Sequence, residues 1–426
     1  MRKLFITLTV VSLLIVFGVL TFGENQVITI WSWRAQDAPV WQKVQQILNS
    51  EGINVTIKFT AFDPTQYDSK VNLALQTGTG PDIVYSRRLP GSQTESLIKT
   101  GLYLPLSGKV DFSNFPSSIL KSVTYQGTEY GVPFAVQVCG IFYNKSIYTK
   151  YDLSVPKTWD QLVENAKILK SHGVTPFFVS GKDGWSLAMQ HAMCGVSILG
   201  PEWIKELTDG ATDFLAPKWV QLNTMLNDLK VYYQPGFLAN STNDQDAAFA
   251  FGQAAMVFYG IWGYGTWIQL NPAIANDVGY FMVPPLSTNE KSYAYSYMDG
   301  AFSLTSSCKN IPLALKVLQF AATPQFGTIF ANITDNIPAV SGVVMPDVPI
   351  LKQAVETYEN DSSPWVYWVG SVFTTGSPDL YNNVLTPGMQ SMYANKITPY
   401  QFAQMAQQAI SQWYKPLQEF IKSYYK

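Results

Sequence analysis

Residues 125–178 read YQGTEYGVPFAVQVCGIFYNKSIYTKYDLSVPKTWDQLVENAKILKSHGVTPFF, and the fold turns on how this stretch is parsed. A turn at Gly127 and a Tyr-Gly-Val-Pro step lead into an apolar run, Val136 to Tyr143, that reads as a strand closed by Asn144-Lys145. A helix opens at Thr158, where Thr-Trp-Asp-Gln has the spacing of a capping box: a hydroxyl at N-cap and an amide three residues on. Leu162, Ala166 and Leu169 share one face of that helix, and Gly173 closes it.

Upstream, Gln26 to Trp31 is a β-branched strand and Pro39 to Leu48 an amphipathic helix. Val55 to Phe59 is a second strand. Asp63-Pro64 then starts a helix with Asp at N-cap and Pro in the first turn, and Tyr67, Val71, Ala74 and Leu75 fall on one side. Pro81 to Tyr85 is a third strand. Strands alternating with helices at such short spacing imply a parallel sheet covered on both faces. Ligands of such sheets gather at the carboxyl ends of the strands, which singles out two loops. One is Trp31 to Asp37, with Trp33 and Arg34; the other is Ser86 to Arg88, with Arg87. Two adjacent arginines can equally be a solvated surface pair.

Downstream, the turn-rich loop Ser180 to Trp185 presents a Trp and opens a helix over Leu187 to Cys194. Asp246 to Phe251 is a short helix, Ala254 to Tyr259 a buried strand, and Gly260-Ile-Trp262-Gly-Tyr-Gly265 a glycine-flanked turn. Glycines beside Trp262 let ring and backbone approach a ligand closely, or let the ring pack as core. The glycine spacing is not that of a dinucleotide site, and the acidic residue expected downstream is missing. Val278 to Pro285 is a further strand, and Thr398 to Gln401 is a second capping box.

Several of these motifs, in this order, make the chain resemble the family 1 extracellular solute-binding proteins, the sugar-capturing subunits of bacterial ABC importers. They are the Tyr-Gly-Val-Pro step, Tyr143-Asn-Lys145, the Thr158-Trp-Asp-Gln opening, Gly78-Thr-Gly-Pro81-Asp82, the run from Phe249 through Ala255-Met256 to Gly260 and Trp262, and Asn336-Ile-Pro338-Ala339. The resemblance implies an α/β, two-lobed periplasmic-binding-protein fold, each lobe a sheet flanked by helices and the lobes joined by hinge crossovers. It divides the chain into lobe 1, residues 24–136 and 300–340, and lobe 2, residues 137–299 and 341–426. Hinges then fall near Val136 to Val138, Met298 to Ala301 and Val340 to Gly342. It also makes Gln137 on the crossing strand a candidate ligand contact beside Trp33, Arg34, Arg87 and Trp262; Asp299 at the second crossing is either a turn residue before Gly300 or an acceptor for ligand hydroxyls, and Trp185 is a further candidate from its own loop. The implied partners are a small carbohydrate and the membrane permease subunits of an ABC transporter, with the receptor itself a monomer.

Composition narrows the solute. Net charge is −2 and only 14% of residues are charged, which argues against nucleic acid or anionic lipid as partner. The aromatic load is high, with 12 Trp, 24 Tyr and 24 Phe, and Trp and Tyr can serve the apolar faces of sugars as well as a core. Candidate contacts that are Trp, Gln, Asp and Arg suit a neutral sugar or oligosaccharide, whose hydroxyls take fork-shaped polar groups. Three widely spaced cysteines and two histidines offer no metal-ligand spacing, so no metal and no cofactor is expected. Arg2 and Lys3 before the apolar Leu4 to Leu20, with Thr21 and Gly23 near a cleavage point, read as a signal peptide over residues 1–23. No cysteine stands there to carry lipid, so a periplasmic or secreted protein is expected.

The rival reading is an exported glycosidase. That chemistry needs two carboxylates at a set separation, one of them kept protonated. Glu129, Asp183, Glu202 and Asp299 are available but sequence spacing pairs none of them. A Ser nucleophile lacks its Gly-x-Ser-x-Gly elbow, and the expectation is a protein that is not an enzyme.

Overall fold

The structure, a computed structural model, describes residues 26–362 and 371–424. The expected signal segment, residues 1–23, and an aromatic run at Pro364 to Trp368 lie outside the described residues. The described chain builds two sheets, each flanked by helices. In the first sheet the strand order is Val55–Ala61, Gln26–Ser32, Ile83–Ser86, Ala301–Leu304, Val132–Pro133. The first three are parallel, as alternation with helices requires. Ala301–Leu304 lies antiparallel to Ile83–Ser86 and to Val132–Pro133, so the sheet is mixed rather than parallel throughout. That strand comes from far along the chain, and no local pattern announces where it inserts.

The second sheet is organised around Ala135–Asn144, a ten-residue strand almost wholly buried. It pairs antiparallel with Val278–Phe281, Ala254–Gly260, Tyr295–Met298 and Ile337–Pro338, and Thr175–Phe177 lies parallel to Ala254–Gly260. The chain therefore passes between the sheets at Pro133 to Ala135 and again at Met298 to Ala301, while Ile337–Pro338 returns to the foot of the crossing strand. Beyond that return, the Ser341 amide donates to the Asn114 carbonyl beside the first sheet. The segment 371–424 packs its Phe373, Leu385, Met389 and Phe402 into the core of the second lobe.

Local rules account for most helices. Pro64–Gln76 buries Tyr67, Val71, Ala74 and Leu75, the face its spacing predicts, and the Asp63 carboxylate accepts from the Thr65 amide at its start. Trp159–Ser171 buries Leu162, Ala166 and Leu169 together with Trp159. Its Thr158 hydroxyl accepts from the Gln161 amide, but the Gln161 side chain caps the Lys157 amide instead of that of Thr158, so the box is shifted by one residue. Truncating Leu162 there should cost about 2–5 kcal/mol. At Thr398 both halves of the box form.

Departures from expectation have physical causes. The strand expected over Val278 to Pro285 stops at Phe281, because Pro284 and Pro285 have no N–H for the ladder. The helix expected over Leu187 to Cys194 runs over Gly184–Ile198, with all of it but Trp185 buried; a helix apolar all round shows no periodicity to mark its ends. The glycine-flanked turn at Trp262 is the start of a helix, Trp262–Leu270. Residues 201–243, which carry no motif, supply the helices Gly200–Asp209 and Pro217–Leu229. Cys139, Cys194 and Cys308 are free thiols, the first two buried. Among the described residues no helix is long and apolar enough to cross a membrane, and no cluster of His, Cys, Asp and Glu could hold a metal.

Candidate functional site

Parallel strands point their carboxyl ends the same way, and both lobes turn those ends toward the crossings. In the first lobe Trp33 and Arg34 follow Gln26–Ser32, and Arg87 and Arg88 follow Ile83–Ser86. In the second lobe Trp185 follows Thr175–Phe177 through a short loop, and Trp262 follows Ala254–Gly260. The amino end of the crossing strand lies at the same level, since Cys139 is opposite Gly260 and the Ile261 amide donates to the Val138 carbonyl.

Three of the predicted residues meet in one buried network. Asp299 Oδ2 accepts from Arg34 Nη1 at 3.0 Å and from Gln137 Nε2 at 2.9 Å. Arg34 Nε donates to Asp37 Oδ2 at 2.9 Å, and Gln137 Nε2 also reaches Asn336 Oδ1 at 3.3 Å. The network thus ties the end of the opening strand to all three places where the chain passes between the sheets. It is buried: Gln137 is 0% exposed, Arg34 3% and Asp299 9%. Burial opposes the Arg34 charge, but Asp37 and Asp299 outweigh it and hold the guanidinium above its ordinary pKa. Burial raises the Asp37 carboxyl against the pull of Arg34. Arg34 Nη2, Asp37 Oδ1 and Gln137 Oε1 are buried without a protein partner.

Trp33 and Arg87 form a second group. The Arg87 guanidinium lies 3.9 Å from the Trp33 ring centroid and its Nε binds the Asp68 carboxylate at 3.2 Å. Tyr67 and Tyr85 stand edge-on to the same indole, at 5.2 and 5.7 Å. One face of Trp33 is therefore already covered by a cation. The two arginines do not form a solvated pair. Arg88 is buried, donates to the Met298 carbonyl and lies 4.2 Å from the Tyr297 ring.

Trp262 and Trp185 are partly buried, each packed where the cores of the two lobes meet. Trp262 lies across Gly260: a Cβ there would sit 1.7 Å from Cζ3 of the indole, so only glycine fits. Its ring stands 5.0 Å from that of Tyr259. No hydrogen bond among the described residues joins Trp262 to the Asp299 network. Sequence reasoning missed Asp37, Asn336, Tyr259 and Arg88 as neighbours of these groups. Asp37 and Arg88 lie in the two loops singled out and Asn336 in a quoted motif, but which of their atoms turn inward is a tertiary fact.

The carboxylates considered for hydrolysis are dispersed. Asp299 is tied to Arg34, Asp183 Oδ2 accepts from the Thr242 amide and hydroxyl, and Glu129 pairs with the Ser107 hydroxyl.

The fold places the chain among known two-lobed receptors. It superimposes on a chitin oligosaccharide binding protein with a TM-score of 0.77 at 22% identity, covering 91% of this chain and 98% of that one. The raffinose complex of the binding protein RafE gives 0.74 at 18% identity, covering 92% and 99%. In sequence, the chain is 26% identical over 258 residues to the multiple sugar-binding protein of Streptococcus mutans, 58% of this chain and 59% of that protein. It is 24% identical over 326 residues to the diacetylchitobiose binding protein DasA of Streptomyces coelicolor, 74% of this chain and 73% of that protein. The family model of the bacterial extracellular solute-binding proteins matches residues 32–327, from the end of the opening strand through both crossings, and the chain belongs to that family.

Proposed function

We propose that this chain is the extracytoplasmic receptor of an ABC importer, which captures a neutral sugar or oligosaccharide between its lobes and delivers it to the membrane permease. What supports this reading is that Trp33, Trp185 and Trp262, none fully buried, each follow the carboxyl end of a strand on the side of the crossings. Indole faces suit the C–H faces of a pyranose, and Gln137, Asp299, Arg34 and Arg87 are the fork-shaped groups at the same level. The relatives whose names specify sugars support the same class of solute. The protein works without chemistry, as a periplasmic or secreted monomer. Lobe 1 comprises residues 24–136 and 300–340 and lobe 2 residues 137–299 and 341–426. Closure about Val136 to Val138, Met298 to Ala301 and Val340 to Gly342 follows from a solute that touches both lobes and so favours the closed form.

The test is a thermal-shift screen against monosaccharides, oligosaccharides, amino acids and polyamines. A true ligand at 100 times its Kd adds about 2.7 kcal/mol. The ligand should be recovered intact after long incubation, and small-angle scattering should show a smaller radius of gyration when it is bound. Stabilisation only by amino acids or polyamines would overturn the sugar reading, and turnover beyond one equivalent would make the protein an enzyme.

A further inference from the structure

Arginine is rare in this chain and unevenly placed. Of 28 Lys and Arg residues only four are arginine, Arg2, Arg34, Arg87 and Arg88, and the last three all follow strand ends of the first lobe beside the crossings. A guanidinium offers a planar fork of donors that an ammonium lacks, so its restriction to these loops marks them out. Arg34 is given to Asp37 and Asp299, and Arg88 lies buried against the Met298 carbonyl and the Tyr297 ring. Arg87 differs. Its side chain is 23% exposed, and its Nε is bonded to both oxygens of Asp68 at 3.2 Å. No described residue takes a hydrogen bond from its Nη1 or Nη2.

The surrounding chain builds a seat for this fork. Tyr67 and Asp68 are successive residues of the helix Pro64–Gln76. The Tyr67 ring stands edge-on to Trp33, and its hydroxyl lies 3.0 and 2.7 Å from the Trp31 and Tyr85 carbonyls, which ties the helix to two strand ends. Gly300, at the second crossing, leaves room for the indole: a Cβ there would come within 2.8 Å of Trp33 Cη2. Arg87 lies on the indole so held, its guanidinium carbon 3.9 Å from the ring centroid. A planar cation at that distance takes the place a sugar ring would need, so on this side a solute meets the guanidinium and not the indole.

We infer that Asp68 is a positioning residue: by holding Nε it keeps Arg87 flat on Trp33 and leaves Nη1 and Nη2 as a fixed pair of donors for two neighbouring oxygens of the solute. This deepens the sugar-receptor reading and rests on it for the solute. The two oxygens are adjacent hydroxyls of a neutral sugar or the carboxylate of an acidic one, since a guanidinium edge fits both. Without Asp68 the long Arg87 side chain would have to be ordered at each binding event, which weakens binding without unfolding anything. Arg87 is then the residue that determines specificity on this side, and Trp33 acts through it.

The scarcity of arginine makes the test direct. The whole protein is labelled with 15N-arginine and its Nε–H signals are followed by NMR, with Arg87→Lys to assign them. In the wild type the Arg87 signal should be displaced by the Trp33 ring and exchange slowly with water. In Asp68→Ala it should move toward the position of free arginine and exchange faster, while the Arg34 and Arg88 signals stay in place. Asp68→Glu restores the carboxylate and should recover most of the displacement, which a residue needed only for packing would not do. An Arg87 signal that is the same in wild type and Asp68→Ala overturns the inference. Should Asp68→Ala fail to fold, Asp68→Asn removes the charge at constant shape and must move the Arg87 signal in the same direction. Galactose, galacturonate, maltose, chitobiose and raffinose are then titrated. A sugar that binds should shift the Arg87 signal, lose about three- to tenfold in affinity in Asp68→Ala and about tenfold or more in Arg87→Lys, with melting temperatures lower by less than about 4 °C. Galacturonate binding tighter than galactose assigns the oxygen pair to a carboxylate, and the reverse order to adjacent hydroxyls. A sugar that binds while Arg87 stays still, or that binds Asp68→Ala with wild-type affinity, overturns the inference and leaves the receptor reading intact. If none of the five binds, it is the sugar reading that fails, and the Arg87 signal still decides the part played by Asp68.

Discussion

Two buried polar groups in this molecule answer the same problem in opposite ways. At the crossings, Asp37 and Asp299 share one guanidinium, so each carboxylate has a cation beside it and the groups the network joins are held as a unit. Beneath Trp262, Asp246 has neutral donors only, and its charge is left for the solvent pH to decide. A carboxylate paired with a cation makes a firm joint, because removing the cation strands the carboxylate. An unbalanced carboxyl makes a part that can change state at small cost. The firm arrangement lies where three segments must pass between lobes, and the adjustable one lies under a side chain proposed to meet the solute.

The sharpest way to break this contrast is Arg34→Met. It leaves Asp37 and Asp299 buried without a cation and should destabilise the protein by about 3–5 kcal/mol in urea unfolding at pH 7.5. A loss under about 1 kcal/mol would mean the network is not a joint.

The next effect is in the pH dependence of stability. Asp246 has a folded pKa near 7, raised from 3.8, so the folded state binds a proton that the unfolded chain releases. Its contribution is complete below about 3.8 and is lost as pH rises through about 7. His191, buried against Asn223, is the reverse: burial pushes its imidazole from 6.5 down to about 4. Its contribution is present above 6.5 and is lost as pH falls through about 4. The two slopes oppose each other over nearly the same range. In Asp246→Asn the slope that opposes His191 over this range is removed, so relative to the wild type stability should fall by on the order of 2–4 kcal/mol more between pH 7 and 4. His191→Gln should show stability rising on the same acidification. Parallel curves for the two variants would remove the assignment.

Gly260→Ala tests the adjustable side by shape. The added methyl must displace the Trp262 ring, at about 1–3 kcal/mol of stability and at least a tenfold weakening of any sugar found to bind. Unchanged affinity by calorimetry would take Trp262 out of the site. The smallest effect is expected from Arg87→Ala, whose ion pair with Asp68 is partly open to solvent: about 0.5–1 kcal/mol, chiefly from the contact with Trp33. A larger loss would mean that Arg87 belongs to the firm joint as well.

The amphipathic helices were legible because their information is local. Tyr67, Val71, Ala74 and Leu75, or Leu162, Ala166 and Leu169, declare a face through spacing alone, and Asp63, Thr158 and Thr398 declare a start through one hydrogen bond. The strand-end rule likewise marks the loops of Trp33, Arg34 and Arg87 from sequence. Helix Gly184–Ile198 was only half legible, because burial on every side erases the periodicity that marks helix ends.

By itself, then, the sequence determined the strand and helix alternation of the first lobe, its capping, the ordered motifs of a solute-binding protein and the strand-end loops that carry Trp33, Arg34 and Arg87. The tertiary structure alone decided that Ala301–Leu304 enters the first sheet antiparallel, that Arg34 and Gln137 converge on Asp299, and that Asp246 stands behind Tyr259 and Trp262. The physical reason is range. Periodicity and capping act over three or four residues, whereas the Arg34 to Asp299 pair closes 265 residues of chain and depends on which atoms burial leaves facing one another.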